Sequence, residues 1–129
     1  MKNFLVPVSP AEVLDKITIL EIKSERMKDP EKVANVRAEL EQLSKCWADS
    51  VTEDDTVRLL RSQLKAINQK LWVIEDDIRD KERAKEFGEQ FIELARSVYA
   101  TNDRRAQIKK ELNLHLGARI VEEKSYTTY

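Results

Sequence analysis

The feature that most constrains this chain is an apolar stripe that continues for about six helical turns. Its members are alternately three and four residues apart, which places them on one face of an α-helix. Side chains of a strand alternate with a period of two, so a strand cannot present this spacing on one face. The stripe predicts one long helix with a side that must be buried against other helices. Its members are Val57, Leu60, Leu64, Ile67, Leu71, Ile74 and Ile78.

Three further stripes of the same spacing predict three more helices. The four predicted ranges are about 10–28, 30–48, 53–85 and 88–116. Ser9 and Glu12 form a capping box with Pro10 at the first helical position, and Asp29 caps the second helix before Pro30. The remaining boundaries are expected at Thr52 with Asp55, at Gly88 and at Gly117.

The predicted lengths determine how the helices can cover one another. At about 1.5 Å per residue, the first two helices measure roughly 28 Å and the last two about 45 Å. We therefore expect an all-α fold, an antiparallel four-helix arrangement of one short and one long helical hairpin in a single domain, 1–129. The ends, FLVPV and ARIVE, are expected to be short extended segments that pair as a ribbon.

The half of the long hairpin that the short one cannot cover, about 73–99, carries a second apolar face. Trp72, Val73, Ile92 and Tyr99 are bare there in a single chain. Contiguous exposed apolar surface usually marks an interface. The sequence therefore predicts a homodimer that forms through the protruding hairpin, or a protein partner at that place.

Charge and composition exclude several classes of protein. The 23 basic and 24 acidic residues leave a net charge of −1, so we expect no nucleic acid as a partner. No apolar run is long enough to cross a membrane, so no membrane insertion is expected. The single cysteine, Cys46, excludes an internal disulfide and a cysteine-based zinc site, and favours the cytoplasm.

Four segments of the chain together resemble a known family: DKITILEIKSER, LWVIEDDIR, ARSVYATNDRRAQIK and EEKSY. The family is one of small bacterial proteins catalogued as a domain of unknown function. The resemblance implies a helical, cytoplasmic, complete protein and, because members occur among surface-sugar and glycosyltransferase genes, a link to surface-sugar metabolism. It implies no activity, substrate or cofactor. The positions that carry it, besides the closing EEKSY, are Asp15, Lys16, Glu21, Lys23, Trp72, Glu75, Asp76, Arg79, Asn102, Asp103 and Arg105.

The acid triplet Glu75, Asp76 and Asp77 lies within the long stripe helix. Its members spread over about 200° of the helix, so they cannot form one cluster. Carboxylate metal sites in helical bundles draw acids from several helices and use a Glu-x-x-His pair, but His115 is the one histidine and belongs to no such pair. We expect surface ion pairs here, with no metal site and no cofactor.

Polar residues interrupt three apolar stripes at one level of the predicted bundle. Because an isolated buried charge is very costly, these interruptions are expected to meet. One hypothesis is a buried network in which Glu21 pairs with Arg105, and Asn68 and Asn102 complete it. The other is a pocket for a phosphate or carboxylate, with Arg105 as anchor and Lys109 beside it. The candidate ligand-binding residues are Glu21, Asn68, Asn102, Arg105 and Lys109.

Two functions remain open at this point. The first is a non-catalytic, homodimeric interaction or scaffold module. The alternative is a small all-helical enzyme or binder of an anionic metabolite, linked to surface-sugar metabolism. No residue pattern names a nucleophile or a general base, so the sequence identifies no catalytic residue and favours a protein that is not an enzyme. An open polar pocket at the level of Arg105 distinguishes the alternative from the scaffold.

Overall fold

The computed structural model, which describes residues 1–129, contains four helices and no strand. They are α1 (Pro10–Arg26), α2 (Pro30–Ser50), α3 (Asp55–Ala84) and α4 (Glu89–His115). The all-α fold with a short and a long hairpin is confirmed. Each helix end lies within two residues of the predicted one. None of the four helices is both long and apolar enough to span a membrane.

The first turns of α1 and α2 carry the predicted side-chain caps. The Ser9 hydroxyl accepts the Glu12 N–H at 3.3 Å, and Asp29 accepts the N–H groups of the first turn of α2. The expected cap of α3 by Thr52 is wrong, because Asp54 is the residue that precedes the first helical turn. Its carboxylate accepts the Val57 N–H at 2.8 Å.

α1 is the central element of the packing. It lies against α2, α3 and α4, whereas α2 approaches only α1. Leu14 and Ile17 of α1 are fully buried and belong to one core with Leu64 of α3 and Leu112 of α4. α2 adds Trp47 to this core and is otherwise largely exposed. The short hairpin is therefore attached to the long one through α1.

The outer half of the long hairpin is free of the core, as its length predicts. Ile74 is buried, and so is Thr101, but no residue between them is. The hairpin turns at Lys85, which adopts a left-handed conformation that ends α3. This part of the hairpin, residues 75–100, is called the distal hairpin below.

The chain ends do not form the expected ribbon. Residues 1–9 have no regular structure, and residues 118–129, called the tail, turn back at Gly117 and follow α4. Glu122 of the tail contacts Lys109 at 3.2 Å, and Tyr129 donates a hydrogen bond to Asp103 at 2.8 Å. Charged partners along α4 thus hold the tail where a second extended segment was expected.

Candidate functional site

Three helices each contribute a polar residue to a buried chain of hydrogen bonds, called the relay below. The Asn68 amide nitrogen donates to Asp15 Oδ1 at 2.8 Å and to Thr18 Oγ1 at 3.0 Å. Its amide oxygen accepts from Arg105 Nη1 at 3.2 Å. Asp15, Thr18 and Asn68 are buried. Because both ends of the Asn68 amide are engaged, the relay fixes the orientation of this amide, and its oxygen holds Arg105 Nη1.

The relay ends at an open groove between α1, α3 and α4. The groove has a volume of about 470 Å³ and an apolar floor that includes Ile22 and Leu71. Trp72 lies at its side. Its polar lining consists of Asn68, Glu75, Asp76, Arg79, Asn102 and Arg105.

Arg105 reaches this groove without an ionic partner. It is half-buried, and its one hydrogen bond within the chain is the bond to Asn68. The other arginine of the groove, Arg79, is exposed and binds Glu75 at 3.2 Å, one helical turn away. The guanidinium of Arg105 therefore keeps most of its N–H donors free for a bound molecule.

The chain matches one described protein family. A family model described as a family of unknown function, DUF6165, matches residues 4–129. The chain belongs to the DUF6165 family. No curated protein and no solved structure matches it. Membership of DUF6165 assigns no chemistry, so the function of this DUF6165 chain has to be argued from its own side chains.

Three of the five predicted site residues of the DUF6165 chain come together. Asn68, Asn102 and Arg105 line the groove. Four further groove residues belong to the positions that carry the family resemblance but not to the predicted site: Trp72, Glu75, Asp76 and Arg79. The resemblance was the one sequence feature that pointed to these residues. Helical spacing alone gives no reason to place acids of α3 in the same site as an arginine of α4.

Glu21 lies away from the groove, and the expected Glu21–Arg105 ion pair does not form. Successive helical residues point about 100° apart, so Ile22 faces the groove while Glu21 faces α3. There Arg61 and Lys65 lie 3.8 and 3.9 Å from its carboxylate oxygens. These distances are too long for hydrogen bonds, and Glu21 Oε1 is buried without one.

Lys109 also lies outside the groove, behind the relay. Its ammonium contacts Glu12 at 2.5 Å, Glu122 at 3.2 Å and Asp15 at 3.7 Å. Burial by itself lowers the pKa of Lys109, but the Glu12 hydrogen bond and the charge of Asp15 outweigh burial, and the pKa is raised. Lys109 is a charged structural link between α1, α4 and the tail.

The acid triplet divides between two surfaces. Glu75 and Asp76 line the groove, whereas Asp77 borders a separate hollow between α3 and the start of α4. The structure contains no group of three His, Cys, Asp or Glu side chains that could hold a metal ion. Of the two groove acids, Glu75 accepts a hydrogen bond from Arg79 at 3.2 Å.

A second cavity adjoins the groove on the other side of Arg105. It lies between α4 and the tail and has a volume of about 580 Å³. Asn102 and Arg105 line both spaces. This second space is called the tail cavity below, and its further lining includes Tyr99, Asp103, Lys124, Tyr126 and Tyr129.

Proposed function

We propose that the groove binds a small anion that bears a phosphate or carboxylate, with Arg105 as its anchor. One observation carries this proposal: Arg105 opens into a polar groove with no carboxylate within ion-pair distance and with a single hydrogen bond to Asn68. A guanidinium held in this way offers paired N–H donors that match the oxygens of a phosphate or carboxylate.

The residues around Arg105 support binding in a fixed geometry. Asn68 is held by Asp15 and Thr18 before any ligand arrives, and a binding group that is already oriented loses less entropy on binding. Asn102 makes no hydrogen bond within the chain and borders the groove beside Arg105. Its amide can donate to the same anion.

The acids of the groove favour an anion that also carries hydroxyl groups. Glu75 and Asp76 can accept hydrogen bonds from hydroxyls, and they repel a second anionic group. Trp72 offers an aromatic side to the same space. A phosphorylated sugar has this combination of one anionic end and a hydroxylated ring, and it agrees with the surface-sugar link that the resemblance implies.

The proposal is tested by thermal unfolding and titration with three probes: inorganic phosphate, glucose 6-phosphate and malate. A ligand at 100 times its dissociation constant adds about 2.7 kcal/mol to the free energy of unfolding. For a chain of this size the midpoint should rise by several degrees. We expect glucose 6-phosphate to give the largest rise.

Arg104 provides a matched control, because it is exposed and its guanidinium binds Gln107 on the helix surface. Arg105→Gln should abolish the rise, whereas Arg104→Gln removes the same charge one residue away and should preserve it. Equal losses in both variants would show that only net charge matters. No rise with any probe in the unaltered protein would remove the proposal.

Exposed apolar side chains on the distal hairpin, and Val73 just before it, favour homodimerisation as a second function. Val73, Ile92 and Tyr99 are each about 44–45% exposed, and Phe87 at the hairpin end is 50% exposed. We propose that two chains pair through these side chains, as expected for apolar surface that the short hairpin leaves uncovered. The pairing would provide the scaffold role.

Sedimentation equilibrium tests the dimer. The chain has a mass of 15.0 kDa, so the unaltered protein should sediment at twice this mass. Ile92→Glu should sediment as a single chain, while Gln90→Glu, which adds the same charge two residues away on the exposed surface, should remain dimeric. A single-chain mass for the unaltered protein at high concentration would exclude this function.

A further inference from the structure

The tail cavity collects all the tyrosines of the chain. The sequence contains three, and Tyr99, Tyr126 and Tyr129 all line this one space, although they come from two distant segments. Tyrosine rings are large, rigid surfaces that bury much area at low entropic cost. Here Tyr126 and Tyr129 are 80% and 76% exposed, so their rings are largely uncovered in the protein alone.

Two of the rings hold each other in place and one is free. Tyr129 meets Tyr99 edge to face, with ring centroids 4.9 Å apart, and its hydroxyl is bound by Asp103. Tyr126 contacts neither ring in this way. Its one aromatic contact is with the Lys124 ammonium, 5.8 Å from the ring centroid. Tyr126 is therefore the ring that can cover a molecule placed against the other two.

The tail is held at both ends of this cavity and free between them. Glu122 and Glu123 bind Lys109 and Lys110 of α4 at one end, and Tyr129 binds Asp103 at the other. Residues 124–128 pass over the space between these attachments. The tail thus spans the tail cavity. The volume of this cavity lies within the range of small-molecule sites.

The cavity also contains two cations without carboxylate partners. Arg105 lines it together with the groove, and Lys124 has no carboxylate within ion-pair distance. An anionic group bound by Arg105 therefore lies at the junction of the two spaces. Any part of the ligand that extends from this anionic group toward the tail contacts the tyrosines.

We propose that the tail cavity binds a flat aromatic ring joined to the anion that Arg105 holds. This inference rests on the proposed anion site and narrows its ligand class to a phosphate linked to an aromatic ring, of which nucleotides are the common form. The tyrosines stack on the ring, Asn102 can hydrogen-bond to its edge, and Lys124 is a second contact for the phosphate. A net charge of −1 provides no general attraction for a polymer of phosphates, so the ligand is a small molecule.

Isothermal titration with AMP, ribose 5-phosphate and adenosine separates the two parts of the ligand. Because base stacking on an aromatic side chain is worth about fivefold to more than a hundredfold in affinity, AMP should bind at least about fivefold more tightly than ribose 5-phosphate. Adenosine, which lacks the anion, should bind more weakly than AMP. A ten-nucleotide oligoadenylate should bind no more tightly per site than AMP.

Tyr126→Ala provides the decisive variant, since this exposed side chain has no part in the core. It should reduce AMP affinity several-fold toward that of ribose 5-phosphate, because Tyr99 and Tyr129 remain, and it should leave ribose 5-phosphate binding unchanged. Phe4→Ala, which removes another ring that is 85% exposed, should change neither. These results would separate ring binding from a general loss of exposed aromatic surface.

The outcomes that overturn this inference are distinct from those that overturn the anion site. Equal affinities for AMP and ribose 5-phosphate would remove the ring site and keep the anion site. No binding of either would remove both. Adenosine that binds as tightly as AMP would disconnect the tyrosines from Arg105, and much tighter binding of the oligoadenylate would replace the small molecule by RNA.

Discussion

At the scale of single residues, Asp15 shows how much a buried acceptor matters. It is 8% exposed and accepts one hydrogen bond from Asn68, which in turn orients Arg105. Asp15→Ala leaves a buried amide donor poorly satisfied and should reduce the free energy of unfolding by about 1–3 kcal/mol. Asp15→Asn retains an acceptor oxygen and should cost less. Urea unfolding measures both, and equal losses would contradict this role of the hydrogen bond.

The charge of Lys109 predicts how the stability of the fold changes at alkaline pH. Its pKa is raised above the ordinary 10.5, so its charge stabilises the fold fully below about pH 10.5 and the contribution is lost as the pH rises through the raised value. Lys109→Met should be less stable than the unaltered protein at pH 7, and the difference should shrink above about pH 10.5. Urea midpoints from pH 7 upward test this, and a constant difference would exclude the charge as the cause.

At the scale of elements, Glu53 joins α2 to α3. Its Oε1 accepts from Trp47 Nε1 at 3.1 Å and from Arg61 Nη1 at 2.8 Å. Partial burial raises the pKa of Glu53, but the bonds from Arg61 and Trp47 outweigh burial, and the pKa lies below the ordinary 4.5. The contribution to stability is therefore present above pH 4.5 and lost as the pH falls through the lowered value.

Glu53→Gln tests this link, because it keeps an acceptor for Trp47 and removes the charge. The variant should melt at a lower temperature than the unaltered protein at pH 7, and the two should converge at acidic pH. Glu41→Gln, at an exposed position of α2, should behave like the unaltered protein throughout. Thermal melts followed by circular dichroism provide the comparison, and a gap that persists at acidic pH would point to packing instead of charge.

The elements also show what sequence reasoning could and could not establish. Apolar spacing and the caps at Ser9 and Asp29 predicted the helices, because both depend on residues within one turn of each other. Spacing fixes the face on which a side chain lies but not the helix that this face meets. For that reason the predicted Glu21–Arg105 pair is wrong, since Ile22 occupies that side of α1, and the spacing gives no sign of the relay through Asp15.

At the scale of the whole molecule, the tail is a mostly exposed segment on the surface of the helical body. Every tail residue but Ala118 and Val121 is exposed, and Lys109 keeps Glu12 and Asp15 when Glu122 is removed. A chain that ends at Gly117 should therefore lose no more than about 1 kcal/mol of unfolding free energy, the size of surface ion pairs. Urea unfolding of the shortened chain tests this, and a loss of several kcal/mol would make the tail part of the core.

The central position of α1 has a consequence for how the protein is made. The Ala11 N–H is bound by the Asn113 side chain, 102 positions later in the chain. α1 therefore leaves the ribosome first but cannot complete its contacts until α4 has been synthesised. At translation rates of about 5–20 residues per second the wait is on the order of 5 to 20 seconds. During it the apolar side of α1 lacks the cover of α4 and, at first, also that of α3, so chaperone binding to the nascent chain should be strongest before α4 emerges.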